Sequence, residues 1–382
     1  MSLNITKSLL QREIGNSKFK SESFVAINYF NEMIMGRLRI EKSVKVVEEV
    51  LIDDTVCGGW NTSGSLLCIG QYSKGVCIFK PFMETEQIIP ILQSNFLIDC
   101  VFMPGNDNLL TIATRSYSQI ITRGTVDLSF SEKVKIWDVK NNKTVRNYNF
   151  NGFVYDIITS QLLPNNFWVS GDPETDSITE FDVRSPICKK MLLSGFSGIK
   201  ELFYKRCFDK NPLDETTIIV SGKNKILHYD RRTMSSQLQT KPYKTTNINS
   251  ARESALIQLK FTPDGRNIIL TKSSDFTPKN YLVLSNEEKL IEFEIPDQPH
   301  IHGTITKRFS FLGDSYVLFD TYFENYFLIY EYRKQKPKYM GNFVVPSRDE
   351  SNENIHSMPS PRYCLIAVAN QGFINYITPT DR

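Results

Sequence analysis

"EKVKIWDVKNNKTVRNY", residues 132–148, holds the one Trp-Asp pair of the chain, at Trp137-Asp138. An apolar alternating run ends there in an aromatic residue followed by an acid, and the same ending recurs. "SITEFDVRS" brings Phe181-Asp182 and "KILHYDRRT" brings Tyr229-Asp230. Upstream, "GVCIFKPF" puts Phe79 at the same point of a similar run. Downstream, "NYLVLSNEE" ends near Leu284, "FLIYEYRK" gives Tyr330-Glu331 and "GFINYITPT" gives Tyr376. The seven endings recur at roughly 44–58 residues, close to the ~40–45 of a four-stranded propeller blade with insertions.

A second marker supports the register. Before several endings comes a strand, a turn rich in Asn, Asp or Gly, and another strand: "GGWNTSGSLLCIG" (58–70), "CVFMPGNDNLLTIAT" (100–114), "QLKFTPDGRNIILT" (258–271). Such turn chemistry between alternating strands predicts hairpins. "DIITSQLLPNNFWVSG" (156–171) and "LFYKRCFDKNPLDETTIIVSG" (202–222) repeat the scheme with longer loops. A single blade cannot cover both faces of its sheet, whereas blades stacked in a ring bury a continuous core. The expectation is an all-β, seven-bladed WD40-type β-propeller over residues 49–382.

Composition agrees with that architecture. Of 382 residues, 41% are hydrophobic and 23% charged, ordinary for a globular protein. The 12% aromatic share suits pleated, half-buried surfaces. A net charge of +3 argues for neither nucleic acid nor acidic partners, and it falls short of the broad positive surface nucleic acid needs, so no nucleic-acid partner is expected. No apolar stretch approaches the ~20 residues of a membrane span, so no membrane partner is expected. The seven cysteines are scattered and odd in number, and Cys68 and Cys77 fall in strand-like runs as small buried hydrophobes. A reducing compartment, nucleus or cytoplasm, is the expectation.

Residues 1–48 read differently, as a helical extension. In "NITKSLLQREIGNSKF", Leu3, Ile5, Leu9, Leu10 and Ile14 follow helical spacing, with Gly15 as the stop. A second helix-like run covers 23–40. An amphipathic helix outside a closed ring buries its apolar face either on that ring or in a groove of a partner. Two insertions stand out: residues 115–131, read as splitting the third and fourth strands of blade two, and residues 233–254, read as a polar loop between blades four and five. Loops of that length are functional or flexible.

Catalytic signatures are missing. No phosphate-cradling glycine loop, nucleophile elbow or HExxH is present. His300 and His302 alternate as on a strand, but no nearby Cys or carboxylate cluster completes a metal site. No enzyme activity, cofactor or metal is expected, and His228 reads as a core or face histidine. "EYRKQKPKYM" (331–340) is the strongest basic cluster and reads as a solvated connection between blades.

The chain also resembles a known family. "LNITKSLLQREI", "GRLRIEKSVKV", "WNTSGSLLCIG", "LLPNNFWVSGDPETDSITEFDVRSP", "NPLDETTIIVSGKNKILHYDRRTM" and "LKFTPDGRNIILT" are similar, in order, to WD-repeat proteins of the adipose type, the WD and tetratricopeptide repeats family. They are similar too to related substrate receptors of cullin-4 RING ubiquitin ligases. The likeness covers about residues 3–285, and the tetratricopeptide part has no counterpart. Gly-His dipeptides are missing, and most blades lack the aspartate usual before the last strand. The resemblance implies a ligase substrate receptor in which the N-terminal helix, through Leu9, Leu10 and Ile14, meets the ligase adaptor. Arg184 and Arg232, at the aromatic-Asp-x-Arg endings, would face the same adaptor, and a substrate protein would bind the other face. For each Arg the structural alternative is a bond to neighbouring blade loops. Asp138, Asp182 and Asp230 read as fixing turns within their blades. The competing reading is a WD-repeat scaffold subunit of a chromatin or RNA-processing complex.

Overall fold

A computed structural model describes residues 38–379 apart from short stretches, the longest being 46–54, 195–206, 249–255, 273–278, 295–305 and 346–354. The helical expectations over 1–37, with Leu9, Leu10 and Ile14, lie outside the described residues. The described chain forms seven antiparallel sheets of four strands each. Blades one to six occupy 55–90, 95–150, 156–192, 208–247, 256–292 and 306–344. Blade seven takes three strands from 356–379 and its fourth, outermost strand from Leu38–Lys45.

The first strands of the blades adjoin in sequence order, and that of blade seven, His356–Pro359, adjoins that of blade one, Thr55–Trp60, so the ring is closed. Each of the seven recurrent sequence endings lies on a third strand: Gly75–Phe79, Thr125–Asp138, Ser177–Asp182, Lys225–Asp230, Lys279–Leu284, Tyr326–Glu331 and Phe373–Pro379. Trp137-Asp138 is therefore one copy of a repeated unit.

The physical logic of stacking is visible in the burial. Third strands read "GVCIF" and "YFLIY" with every one of these residues buried. Neighbouring blades cover both sheet faces, so the run is continuously apolar rather than alternating. Alternate residues serve alternate neighbours: Ile218 packs towards Trp168 and Ile178 of blade three, Ile219 towards Leu259 and Ile268 of blade five. Tyr229 and Tyr330 occupy equivalent places, and each donates its hydroxyl proton back to the preceding blade. Their acceptors are Ser194 O at 2.6 Å and Glu294 O at 3.0 Å.

Nearer the axis, polar side chains staple successive blades. Asp99 accepts from Ile157 N at 2.9 Å, Asp209 from Phe261 N at 2.7 Å, and Gln258 from Phe309 N at 2.8 Å. Asp320 accepts from Ser357 N at 3.1 Å and from the Ser357 hydroxyl. Paired this way, these polar groups are satisfied and fix each blade against the next.

Blades one and two meet where space is tightest. A Cβ added at Gly70 would lie 2.2 Å from Leu97 Cδ2 and 2.4 Å from Cys57 Sγ. Gly70→Ala is therefore expected to destabilise the protein by about 2 kcal/mol through overpacking, read as a lower thermal midpoint beside an unchanged far-UV spectrum. An unchanged midpoint would mean that the two blades have slack at this contact.

Four expectations need correction. First, Leu38–Lys45, assigned to the helical extension, is a strand paired antiparallel with Phe373–Pro379, Leu38 opposite Pro379. Its Leu38 and Ile40 pack onto the core between blades six and seven, so the ring begins at residue 38 and not at 49. Second, residues 115–131 do not separate the third and fourth strands of blade two. They extend its second and third strands, Leu109–Thr122 and Thr125–Asp138, into one long hairpin. Third, the span 233–254 is no simple linker between blades, because Lys244–Asn247 is the fourth strand of blade four. Fourth, the basic run 331–340 connects the third and fourth strands within blade six. Two of its cations there meet carboxylates, Arg333 on Asp314 at 3.2 Å and Lys336 on Glu294 at 2.8 Å.

Candidate functional site

Antiparallel order sends every third strand to its end on one face of the ring, here termed the near face. The hairpins joining first to second strands turn there as well, and those joining second to third strands turn on the far face. Leu38 starts its strand opposite Pro379, the end of a third strand, so the chain joins the ring at the near face.

On three successive blades an aspartate closes the third strand. Asp138 accepts from Asn141 N at 2.9 Å and Asn141 Nδ2 at 2.7 Å. Asp182 accepts from Arg184 N and Nε, both at 2.9 Å, and from Arg184 Nη2 at 2.7 Å. Asp230 accepts from Arg232 N at 2.9 Å and Nη2 at 2.6 Å, capping the short 3-10 turn Arg231–Thr233. The Arg184 side chain holds the Asp182 carboxyl below its usual range, and Arg232 does the same for Asp230. Burial raises Asp138, but the Asn141 donors outweigh it and the net shift is downward. All three aspartates fix turns within their own blades, as the sequence indicates.

Neither arginine is tied to a neighbouring blade by these bonds. Each guanidinium is gripped on its Nε–Nη2 edge by its own aspartate, while the side chain stays 67% exposed at Arg184 and 71% at Arg232. Part of the five-donor fork is spent, and the rest is presented in a fixed pose. The adjacent residue behaves oppositely. Arg231 points inward to Glu180 of blade three, with Nε to Oε2 at 3.1 Å and Nη2 on Oε1. Its guanidinium and Lys210 Nζ lie 5.9 and 5.6 Å from the centroid of the fully buried Trp168 ring. This partly buried ion pair ties blade four to blade three, so the mutual placement of Arg184 and Arg232 is fixed by packing.

Sequence reasoning missed the apolar members of this face. Ile187 is 78% exposed and Leu213 67%. Each tops a tight turn held by the residue two before it: Ser185 Oγ accepts from Ile187 N at 3.1 Å, and Asn211 Oδ1 from Leu213 N at 2.9 Å. The signal was present in the paired triplets Ser-Pro-Ile (185–187) and Asn-Pro-Leu (211–213), where a side-chain-to-backbone turn and a proline force an apolar residue outward. Blades three and four thus offer two arginines and two large aliphatic residues on the near face. An exposed apolar group beside fixed donors is a surface suited to binding protein.

Other singled-out residues fall elsewhere. His228 is buried, with Nε2 3.1 Å from Thr246 Oγ1, a core histidine. His300 and His302 lie outside the described residues. Among the described residues, no three His, Cys, Asp or Glu side chains converge as a metal site.

No protein-family model matches the sequence, and no curated protein matches it. Solved structures do. The chain is similar to the β-propeller domain of Cps50 (Swd1) from Myceliophteria thermophila, with a TM-score of 0.63 and 16% identity over 90% of this chain and 100% of that one. It is also similar to a chain in the crystal structure of the mitotic checkpoint complex, with a TM-score of 0.63 and 13% identity over 91% of this chain and 93% of the other. Identities this low speak to the fold, and the fold is that of a WD40-type seven-bladed β-propeller.

Proposed function

We propose that this protein is a non-catalytic interaction scaffold, and that it serves as a substrate receptor of a cullin-RING ubiquitin ligase. The observation that carries the reading is the pair Arg184 and Arg232, exposed and preoriented on adjacent blades of the near face. The chain preceding Leu38 joins the ring on that same face, which favours the helix and the two arginines meeting one adaptor. Fixed guanidinium forks match carboxylates or carbonyls of a partner, and Ile187 and Leu213 supply apolar anchors of the kind that dominate interface energy. The far face is left for the substrate protein.

The test is adaptor capture by the full chain and by the Arg184→Ala/Arg232→Ala double variant. Both arginines are exposed, so the double variant is expected to keep its stability to within about 0.5 kcal/mol while adaptor recovery falls at least ~10-fold. Undiminished recovery would exclude the arginine face as the docking site. Leu9→Asp/Leu10→Asp examines the leading helix. A truncation at residue 40 is unsuitable, because it would also remove Leu38 from the closing strand.

A second reading is a scaffold subunit of a chromatin or RNA-processing assembly. It is favoured by the likeness to a propeller that occurs within a multiprotein complex. Purification of a stable stoichiometric assembly free of cullin would select it. Nucleus or cytoplasm remains the proposed location under both readings.

A further inference from the structure

We propose that Cys57 and Cys100 are a redox-active thiol pair, joined by hydrogen peroxide into a disulfide that braces blade one against blade two. Cys57 lies on the first strand of blade one, Thr55–Trp60, and Cys100 on the first strand of blade two, Asn95–Phe102. Both side chains are buried in the core between the two blades, with their Sγ atoms 3.3 Å apart. Both are free thiols.

The surroundings leave room for the bond. A disulfide holds its sulfurs ~2.05 Å apart, so the pair must close by about 1.2 Å. Gly70 pairs with Cys57 within blade one and has no side chain. The place a Cβ would take there is 2.4 Å from Cys57 Sγ and 3.3 Å from Cys100 Sγ, so the glycine keeps space open at both sulfurs. Cys68 is the rival partner, with its Sγ 3.8 Å from Cys100. It lies farther off, and it donates its own proton to Gly59 O at 3.3 Å.

The two thiols take different roles. Burial raises Cys57, as do Asp99 and Cys68, while the hydrogen bond with Cys100 and the charge of Arg308 pull it down. Hydrogen bonds to Cys57 and Cys68 hold the proton on Cys100 and, with burial, push that thiol higher still. Cys57 is therefore the readier thiolate, the reactive form. Its sulfur attacks one oxygen of the peroxide, and the O–O bond breaks. The leaving hydroxide takes up the proton that Cys57 released, and Cys57 becomes a sulfenic acid. The Cys100 sulfur then attacks that sulfur, the S–O bond breaks, and the leaving hydroxide departs with the Cys100 proton as water. Two thiols and one peroxide thus give one disulfide and two waters, with sulfur oxidised and oxygen reduced. Hydrogen peroxide is small and uncharged, which suits a buried site. In a reducing compartment thiol exchange reverses the bond.

The test treats the reduced full chain with excess hydrogen peroxide until the exposed Cys188 is oxidised. Catalase then removes the peroxide, and the chain is unfolded in iodoacetamide and digested. The expected product is a peptide pair linked from Cys57 to Cys100, lighter by two hydrogens than its free peptides and separated by dithiothreitol. The link closes a loop across 43 positions, so the thermal midpoint of the oxidised chain should rise by at least ~2 °C. Cys57→Ala should abolish both link and rise, and Cys68→Ala should keep both. The peptide map of the parent chain decides the matter even where a variant folds poorly. Alkylated Cys57 and Cys100 beside an oxidised Cys188 would overturn the proposal. So would a Cys68–Cys100 link, Cys57 driven to sulfinic acid with Cys100 still free, or a linked chain whose midpoint has not risen. The assay uses no ligase component, so its outcome is independent of the receptor reading.

Discussion

A chain starting at Val46 is expected to be at least ~5 kcal/mol less stable than one starting at Gly36 and to precipitate on mild warming. Seven cross-strand pairs join Leu38–Lys45 to Phe373–Pro379 and complete the fourth strand position of the closing sheet. Each net hydrogen bond is worth about 0.5–1.5 kcal/mol, and the loss of Leu38 and Ile40 uncovers the core cluster holding Ile366, Val368 and Ile377. Without the strand, blade seven would expose the Phe373–Pro379 edge, a template for intermolecular pairing. Differential scanning fluorimetry with turbidity on both truncations decides the matter. Coincident melting of the two would show that blade seven is stable with three strands.

Raising the pH from 5 to 8 is expected to lower stability by roughly 2 kcal/mol for each of Asp209 and Asp320. Burial pushes both carboxyls up to about 7, against the hydrogen bonds from Phe261 N and Ser357 respectively. The charges facing Asp209 are Lys260, which lowers it, and Asp156, which raises it; Arg308 and Lys260 lower Asp320. Because the folded-state values exceed the ~4 of an unfolded carboxyl, the native chain holds more protons than the unfolded chain between about pH 4 and pH 7. The stabilisation is complete below pH 4 and is lost as the pH climbs through 7. Asp182 and Asp230 are shifted the other way, so their contributions vanish only in acid, below the unfolded value. Urea titrations at several pH values should show the fall, and Asp209→Asn/Asp320→Asn should flatten it. A profile level from pH 5 to 8 in the parent chain would refute raised values at both sites.

The parts legible in the sequence were those whose burial is two-sided. Third strands such as "KILHYD" are apolar because blades press on both faces, and their ends are punctuated by an acid with its own turn donors. That combination survives in Phe181-Asp182 and Tyr229-Asp230 even without a second Trp-Asp pair. Outer strands carry no such mark. "KTTN" (244–247) has one buried residue of four, so its polar sequence reads as loop. "LRIEKSVK" (38–45) alternates weakly after the apolar "MIMG", and its partner lies more than 300 residues away, so nothing local reveals that it is a strand. Arg184 and Arg232 were found through a repeated ending. Ile187 and Leu213 were not, since an apolar residue in a turn looks like core until its exposure is known.

The meeting of Leu38 with Pro379 also sets an order of events during synthesis. Among the described residues the earliest strand must wait for a partner more than 300 residues further on, and contacts between such distant residues form slowly. Glu41 and Lys42 stud that waiting edge with charge, which discourages capture by other nascent chains until Phe373–Pro379 arrives.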